Sequence, residues 1–258
     1  MTKETLLLRL EAPMQSWGTR SRWDVRETGA EPTKSGVIGL LGCALGLRRD
    51  SDDLLFLDSK LLFGVRVERE GVVSTDYHTV TGYHRTAAGE FKHSGGTSKS
   101  FEKALEHGES TVISPREYLH DAAFLVALSS EDKELLQRIV GVDASGPWKG
   151  SLQKPFWPLY LGRKSCVPSR PVFERLTDEY QDVEDALKKE PWSCLRSRKT
   201  EKQKAPPKLL AWIEHSDGEF ERQDALRVNQ LRFYEYRRCQ RIEIETTTMT
   251  HAPERRNP

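Results

Sequence analysis

Two polar segments of this chain carry the residue types that hold a phosphate group. Residues 34–36 read Lys-Ser-Gly at the predicted start of a helix, where free backbone amides and a lysine favour an anion. Residues 163–165 read Arg-Lys-Ser directly after a glycine, which can let a phosphate reach the backbone amides. The G-x-x-x-x-G-K-[ST] spacing of a P-loop is absent. A capped helix and a solvated turn are the structural alternatives, and the sequence leaves both open.

The segment around Trp17 carries the residue types that recognise a nucleobase. Gln15 can hydrogen-bond the edge of a base, and Gly18 follows the tryptophan. Trp17 can stack on the face of a base, and such stacking contributes about 1–3 kcal/mol per base. A tryptophan packed into the edge of the core is the alternative for the same residue.

Tyr77 and His78 raise the question of acid–base chemistry. Metal-independent cleavage of RNA needs a general base and a positive group near the 2′-hydroxyl and the phosphate. The positions of the seven histidines do not define such a constellation, and a histidine in a strand near a sheet edge is more often structural. The four cysteines lack C-x-x-C spacing, so we predict no metal site and no cofactor.

Local patterns predict the elements that position these residues. Residues 5–11 are predicted to form a mostly buried strand, followed by a long polar loop. A helix follows Pro32, with Thr33 or Ser35 as its N-cap. Its glycines recur every three or four residues on one face, which predicts close approach of another backbone or of a ligand.

The middle of the chain is predicted to be a hairpin followed by an excursion. Residues 61–80 alternate in polarity about Gly71, which is typical of two paired strands. Residues 84–115 lose the apolar pattern and are expected to extend from the body of the fold. A strand over residues 116–128 and a helix over residues 131–140 follow, with Ser129 or Ser130 as the helix cap.

The last third of the chain combines charged and strand-like stretches. Residues 178–190 predict an exposed helix, and the basic residues 196–208 predict a loop. Strands are expected over three ranges: 209–215, 226–237 and 240–248. The complete order predicts an α+β fold, with an antiparallel sheet and helices on one face. The ferredoxin-like arrangement is the obvious member of this class.

The overall charge does not indicate a nucleic-acid binder. The chain has 40 basic and 39 acidic residues, so a site for nucleic acid requires local segregation of charge. Arginines mixed with Phe233, Tyr234 and Tyr236 can meet either RNA or a neighbouring subunit. No apolar stretch is long enough to span a membrane, and we expect a cytoplasmic location.

Three segments in this order resemble the CasD family, a CRISPR-associated RAMP-superfamily subunit of the type I-E Cascade complex. They are Ala-Pro-Met-Gln-Ser-Trp-Gly at 12–18, Pro-Thr-Lys-Ser-Gly at 32–36 with the glycine-rich run after it, and Tyr-Leu-Gly-Arg-Lys-Ser-Cys at 160–166. Asp-Tyr-His-Thr-Val at 76–80 and the segment beginning at Arg116 add to the similarity. The resemblance covers roughly residues 5–173.

This resemblance implies a domain plan. A ferredoxin-like (RRM-like) RAMP body is expected over residues 1–173, interrupted by a protruding thumb hairpin at about 81–115. Residues 174–258 are expected to form a small C-terminal β-rich region.

The resemblance also implies a function. The family's role is to bind the 5′ handle of the CRISPR RNA without catalysis and to cap the backbone filament of Cascade. The implied partners are the CRISPR RNA, the backbone and large subunits and, indirectly, the target DNA, with no membrane. A metal-independent endoribonuclease that processes repeat RNA is the alternative. The candidate RNA-binding residues are Gln15, Trp17, Gly18, Lys34, Ser35, Gly36, Tyr77, His78, Arg116, Arg163, Lys164 and Ser165.

Overall fold

The computed structural model describes residues 4–19, 26–86, 88–142, 147–195, 205–227 and 233–246. The strands are β1 Thr5–Glu11, β2 Met14–Gln15, β3 Leu62–Arg69, β4 Val72–Gly82, β5 Phe91–His93, β6 Gly96–Ser98, β7 Ser110–His120, β8 Ala123–Ser129, β9 Phe173–Thr177, β10 Lys208–Glu214, β11 Phe220–Arg227 and β12 Phe233–Glu245. The helices are α1 Lys34–Leu45, α2 Asp53–Lys60, α3 Phe101–Leu105, α4 Lys133–Val140 and α5 Val183–Lys189.

A seven-stranded sheet forms the centre of the fold. Its order is β11-β12-β10-β3-β8-β1-β9, and every neighbouring pair is antiparallel. All seven residues of β1 are buried, as predicted. Because side chains alternate along a strand, Leu6, Leu8 and Leu10 face one hydrophobic cluster and Leu7 faces another. The sheet is therefore covered on both faces.

Helices lie on both faces of this sheet. Apolar residues of α1, α2 and α4 pack into the cluster that contains Leu8, which agrees with the expectation of helices on one face. Helix α5 differs, because Val183, Ala186 and Leu187 pack into the cluster on the opposite face. None of the helices in the described ranges is both long and apolar enough to cross a membrane.

The predicted hairpin over residues 61–80 is wrong. Strand β3 pairs with β8 and β10 in the large sheet, whereas β4 pairs with β7 in a separate sheet of order β2-β7-β4. The chain changes sheet at Gly71, where an added Cβ would lie within 2.8 Å of Ala122. The predicted strand over residues 116–128 is divided in the same way, because Asp121 adopts φ 56° between β7 and β8.

A long two-stranded ladder leaves the body of the fold, and we call it the β4–β7 arm (residues 72–120). Its strands pair over eleven residues, from Val72 opposite His120 to Gly82 opposite Ser110. Strands β5 and β6 and helix α3 lie between the two ladder strands in sequence. The excursion predicted over residues 84–115 thus contains local secondary structure and the first half of β7.

Helix boundaries follow capping side chains. Thr33 caps α1 by accepting a hydrogen bond from the amide of Gly36, and Gly46 ends this helix with φ 78°. Asp132 caps α4, so the predicted cap at Ser129 or Ser130 is wrong by two or three residues.

The last third of the chain joins the same sheet. Strand β10 pairs with β3 through Ala211 opposite Arg66, and β11 and β12 extend the sheet beyond it. The domain boundary expected at residue 173 stays a prediction. The basic residues 196–204 and the tail after residue 246 lie outside the described residues.

Candidate nucleic-acid interface

The loop after β1 and the start of α1 meet at Trp17. Its ring is 1% exposed, and its indole N–H donates to Oε1 of Gln15 at 3.0 Å. An added Cβ at Gly36 would lie 2.9 Å from Cε3 of this ring. The first turn of α1 can therefore approach the tryptophan only because residue 36 has no side chain.

Gln15 fixes the same loop from inside the protein. Its side chain is fully buried, and its Nε2 donates to the carbonyl oxygen of Ala122 at 2.7 Å. Base stacking on Trp17 and base-edge contact by Gln15 do not match this packing, because neither side chain offers an accessible surface. The two residues instead shape the loop that carries Gly18, which is exposed.

The segment at 160–166 also packs against this loop. The amide of Ser16 donates to the carbonyl of Leu161 at 3.1 Å. Gly162 has φ 94°, and a Cβ built there would overlap the carbonyl oxygen of Ser16. A glycine at this position is thus required by both conformation and space. The three segments that carry the family resemblance converge here.

Their convergence forms a polar cleft of about 260 Å³ beside the first turn of α1, which we call the α1 cleft. Five of the predicted site residues line it, from all three segments. The lining residues are Ser16, Trp17, Gly18, Arg26, Glu27, Thr33, Ser35, Gly36, Gly162, Arg163 and Tyr234.

Arg163 is held rigidly at this cleft. Its Nη1 donates to the carbonyl oxygen of Glu117 and its Nη2 to that of Arg26, both at 2.9 Å. Its guanidinium carbon lies 4.5 Å from the ring centroid of Tyr118. Both acceptors are neutral carbonyls, so they orient the positive charge without neutralising it. The side chain of Arg26 is exposed and adds a second cation.

Lys34 is engaged within the protein. Its side chain is buried, and its Nζ lies 2.9 Å from Oε2 of Glu214. Its backbone amide donates to Oδ2 of Asp224 at 2.9 Å, and Arg237 binds both oxygens of Asp224. A carboxylate of the protein thus takes the place at the start of α1 that the sequence suggested for a phosphate.

Asp58 belongs to the same contact between α1, α2 and the C-terminal strands. Burial raises its pKa to about 6, although the nearby cation of Lys34 works in the opposite direction. Within the described residues its Oδ1 has no hydrogen-bond partner. An ionised Asp58 is therefore poorly stabilised by its surroundings.

The remaining predicted residues lie outside the cleft lining. Lys164 and Ser165 are exposed on the turn after Gly162. Tyr77, His78 and Arg116 belong to the β4–β7 arm.

The arm residues form a second cluster next to the cleft. Tyr77 is 71% exposed. His78 Nε2 lies 3.0 Å from Oδ2 of Asp76 and 3.3 Å from the hydroxyl of Tyr118. Arg116 lies opposite Asp76 in the ladder. Since Arg163 stacks on Tyr118, the base of the arm and the α1 cleft are contiguous.

Six of the lining residues were not among the predicted site residues, Arg26 and Tyr234 among them, and neither was Tyr118 of the arm. Tyr118 lies in the recognised segment that begins at Arg116, and Tyr234 lies in the run of arginines and aromatics, so both carried a signal. Among the described residues, no group of three or more His, Cys, Asp or Glu side chains could hold a metal ion.

Sequence comparisons match most of the chain to CRISPR-associated proteins. The sequence model of the family described as CRISPR-associated protein (Cas_Cas5) matches residues 5–242. The CRISPR system Cascade subunit CasD of Escherichia coli (strain K12) is 35% identical over 177 residues, which is 65% of this chain and 69% of that protein.

The chain also resembles solved structures of CRISPR-associated proteins. A chain of a CRISPR RNA-guided surveillance complex superposes with a TM-score of 0.64 at 28% identity, covering 97% of this chain and 95% of that one. A crystal structure of a Cas protein gives 0.62 at 31% identity, covering 96% and 99%.

Proposed function

The chain belongs to the CasD family of CRISPR-associated proteins, and we propose that it is the Cascade subunit that binds the 5′ handle of the CRISPR RNA. The similarity to the Cascade subunit of Escherichia coli supports membership of such a complex. The near-complete overlap with a chain of an RNA-guided surveillance complex supports the same role. The RNA, the backbone subunit and the large subunit are its proposed partners.

The strand order supports a ferredoxin-like body. Such a fold has the order β-α-β-β-α-β, with its first and third strands adjacent in the middle of the sheet. Here β1, α1, β3, β8, α4 and β9 follow one another, and their strands lie in the order β3-β8-β1-β9. The β4–β7 arm is inserted between β3 and β8, and we assign it as the thumb.

The α1 cleft is the main structural support for the proposal that the protein binds RNA. Arg26 and Arg163 supply positive charge there, although the chain as a whole has a net charge of only +1. Gly18 is exposed and has no side chain, so a ligand can approach the backbone of this wall. Charge, exposed backbone and a concave shape suit single-stranded RNA, which proteins recognise through splayed bases and phosphates.

The arm supports the proposal of contact with a neighbouring subunit. Five of its large hydrophobic side chains are exposed by 48% or more: Val72, Val73, Tyr77, Leu105 and Ile113. Apolar side chains along one protruding element are typical of a surface that packs against another protein. We propose that the arm wedges into the backbone filament and displaces a guide nucleotide from pairing with the target DNA.

The contacts of His78 favour a second candidate, a metal-independent endoribonuclease. Asp76 can orient the imidazole of His78, and the hydroxyl of Tyr118 lies at the same ring nitrogen. This arrangement provides groups for proton transfer. Both neighbours engage Nε2, which leaves Nδ1 as the nitrogen that could transfer a proton. We propose the non-catalytic role because His78 is not among the residues that line the α1 cleft, where Arg26 and Arg163 supply the positive charge.

One experiment separates the two candidates. The purified chain is incubated in EDTA with labelled repeat RNA and, separately, with mature guide RNA that carries its 5′ handle. Binding of the handle without cleavage supports the proposed function. Cleavage of the repeat that His78→Ala abolishes establishes the endoribonuclease, and absence of binding to either RNA contradicts both.

A matched pair of variants tests the cleft. Arg26→Ala removes an exposed cation of the cleft, whereas Arg48→Ala removes an exposed cation that pairs only at the surface, with Asp50. We expect Arg26→Ala to weaken handle binding and to reduce the slope of log affinity against log salt by about 1. Arg48→Ala should change neither quantity. Equal effects of the two variants would show that the RNA binds through the overall positive charge of the protein and not at the α1 cleft.

A further inference from the structure

Tyr234 brings an aromatic ring from the C-terminal strands to the α1 cleft. It lies on β12 opposite Leu226 of β11, and 38% of its surface is exposed. The sequence left its run of arginines and aromatics without a definite role. The handle-binding role proposed above requires no contribution from this part of the chain.

The C-terminal strands are fixed against the cleft by buried polar contacts. Oδ2 of Asp224 on β11 accepts a hydrogen bond from the backbone amide of Lys34 at 2.9 Å, so β11 is attached to the first turn of α1. Arg237 of β12 binds both oxygens of Asp224, at 3.0 and 2.9 Å. Tyr234 is therefore held by two paired strands that are anchored to the opposite wall. An aromatic ring fixed in this way loses little conformational entropy when a ligand stacks on it.

The other walls of the cleft are polar. Arg26 and Arg163 supply cations, and Ser35 supplies a hydroxyl group. Glu27 adds a carboxylate, which can accept a hydrogen bond from a base amino or imino group but repels a phosphate. A ligand with one anionic end and one flat, hydrogen-bonding end is complementary to this combination. A free phosphate is not, because it leaves both the ring and the carboxylate without a partner.

The volume of the cleft limits the ligand further. A cleft of about 260 Å³ is on the scale of one nucleotide and not of a duplex. We propose that the α1 cleft takes a single unpaired nucleotide of the RNA handle, with its base stacked on Tyr234 and its phosphate at Arg26 and Arg163. This inference rests on the proposed function and adds a base-stacking residue to it.

Fluorescence and affinity measurements test the assignment. Handle RNAs with 2-aminopurine at one position at a time are titrated with the full chain, and the position quenched by stacking is identified. We expect Tyr234→Ala to lower the affinity by about 5- to 150-fold and to relieve the quenching at that position. Tyr234→Phe, which keeps the aromatic face, should stay within about twofold of the original affinity.

Tyr236 offers a matched control. It is a tyrosine of the same strand, is 67% exposed, and is not among the residues that line the cleft. Tyr236→Ala should leave affinity and quenching unchanged. If Tyr236→Ala and Tyr234→Ala have equal effects, the assignment of Tyr234 is wrong.

Changes in the RNA test the same contact without any change that could disturb the folding of the protein. With the unaltered chain, an abasic nucleotide at the quenched position should lower the affinity by at least the same factor as Tyr234→Ala, and the two changes should not be additive. Handle binding that is indifferent to every abasic position overturns this inference and leaves the proposed function standing. Absence of handle binding by the unaltered chain overturns both.

Discussion

Gly162 packs directly on the carbonyl oxygen of Ser16. A Cβ built on Gly162 would overlap that oxygen, and the backbone at Gly162 has φ 94°. This contact joins the loop after β1 to the turn that carries Arg163. The geometry of the α1 cleft therefore depends on a residue that has no side chain.

Gly162→Ala should destabilise the protein and disturb the cleft. The positive φ and the overlap with Ser16 together lead us to expect a loss of about 2 kcal/mol or more in the free energy of unfolding. Gly39→Ala is the matched control, since Gly39 lies in helix α1 with open space around its Cβ position. That change should stabilise the helix by up to about 1 kcal/mol. Urea unfolding measures both, and an unaffected Gly162→Ala variant would contradict the packing described here.

Lys34 should contribute to stability and not to RNA affinity. Its Nζ lies 2.9 Å from Oε2 of Glu214, and its side chain is 5% exposed. We expect Lys34→Met to cost about 1–3 kcal/mol, because Glu214 then loses its counter-charge. A double-mutant cycle with Glu214→Gln should give a coupling energy of at least about 0.5 kcal/mol. Handle affinity should stay within twofold in variants that remain folded. A larger loss would show that Lys34 takes part in RNA binding.

Asp58→Asn should stabilise the protein in a pH-dependent manner. Burial raises the pKa of Asp58 to about 6, against 3.8 as its ordinary value. The folded state therefore holds this proton more tightly than the unfolded state, and stability falls as the pH rises from about 4 through about 6. Asparagine cannot ionise, so the variant should gain about 1–2 kcal/mol over the original protein at pH 8 and almost nothing at pH 4.

Thermal unfolding between pH 4 and pH 8 measures this difference. Asp50→Asn is the control, because Asp50 is a surface carboxylate with a 78% exposed side chain. Its effect should not change with pH by a comparable amount. A constant difference between Asp58→Asn and the original protein would show that Asp58 is not the titrating group.

Short-range signals in the sequence were sufficient for the elements around the cleft. The apolar run at residues 5–11 correctly predicted β1, and the capping residue Thr33 correctly predicted the start of α1. The glycine spacing of α1 also indicated a close approach, which the structure shows at Gly36 beside Trp17 but not at Gly39, where the Cβ position is open. Each of these signals lies within a few residues of the feature that it predicts.

Long-range partners could not be predicted in the same way. Glu214 and Asp224 bind Lys34 from 180 and 190 residues away, and no local pattern identifies them. The alternation of residues 61–80 indicated two strands correctly but not that they belong to different sheets. Pairing depends on β7 and β8, which come after β5, β6 and α3 in the chain. The burial of Trp17 was undecidable for the same reason, since the residues that cover it come from other segments.

The β4–β7 arm gives the last prediction. Replacing residues 84–108 with Asn-Gly should join Tyr83 to Glu109 through a two-residue turn, and the ladder pair Gly82 and Ser110 would remain. The removed segment contains β5, β6 and α3, which pair or pack mainly among themselves and with the end of the arm. The seven-stranded sheet, the sheet of β2, β7 and β4 and the cleft should therefore stay intact.

We expect this replacement to separate folding from assembly. The free energy of unfolding should change by less than about 1 kcal/mol, because the large sheet and its two apolar clusters contain no residue of the replaced segment. Handle binding should persist, since the residues that line the α1 cleft are retained. Co-purification with the other Cascade subunits should be lost, because the replaced segment is the end of the proposed thumb and carries the exposed apolar side chains of Phe101 and Leu105. Normal assembly of the shortened chain would contradict the thumb assignment, whereas loss of handle binding alone would show that residues 84–108 take part in recognising the RNA.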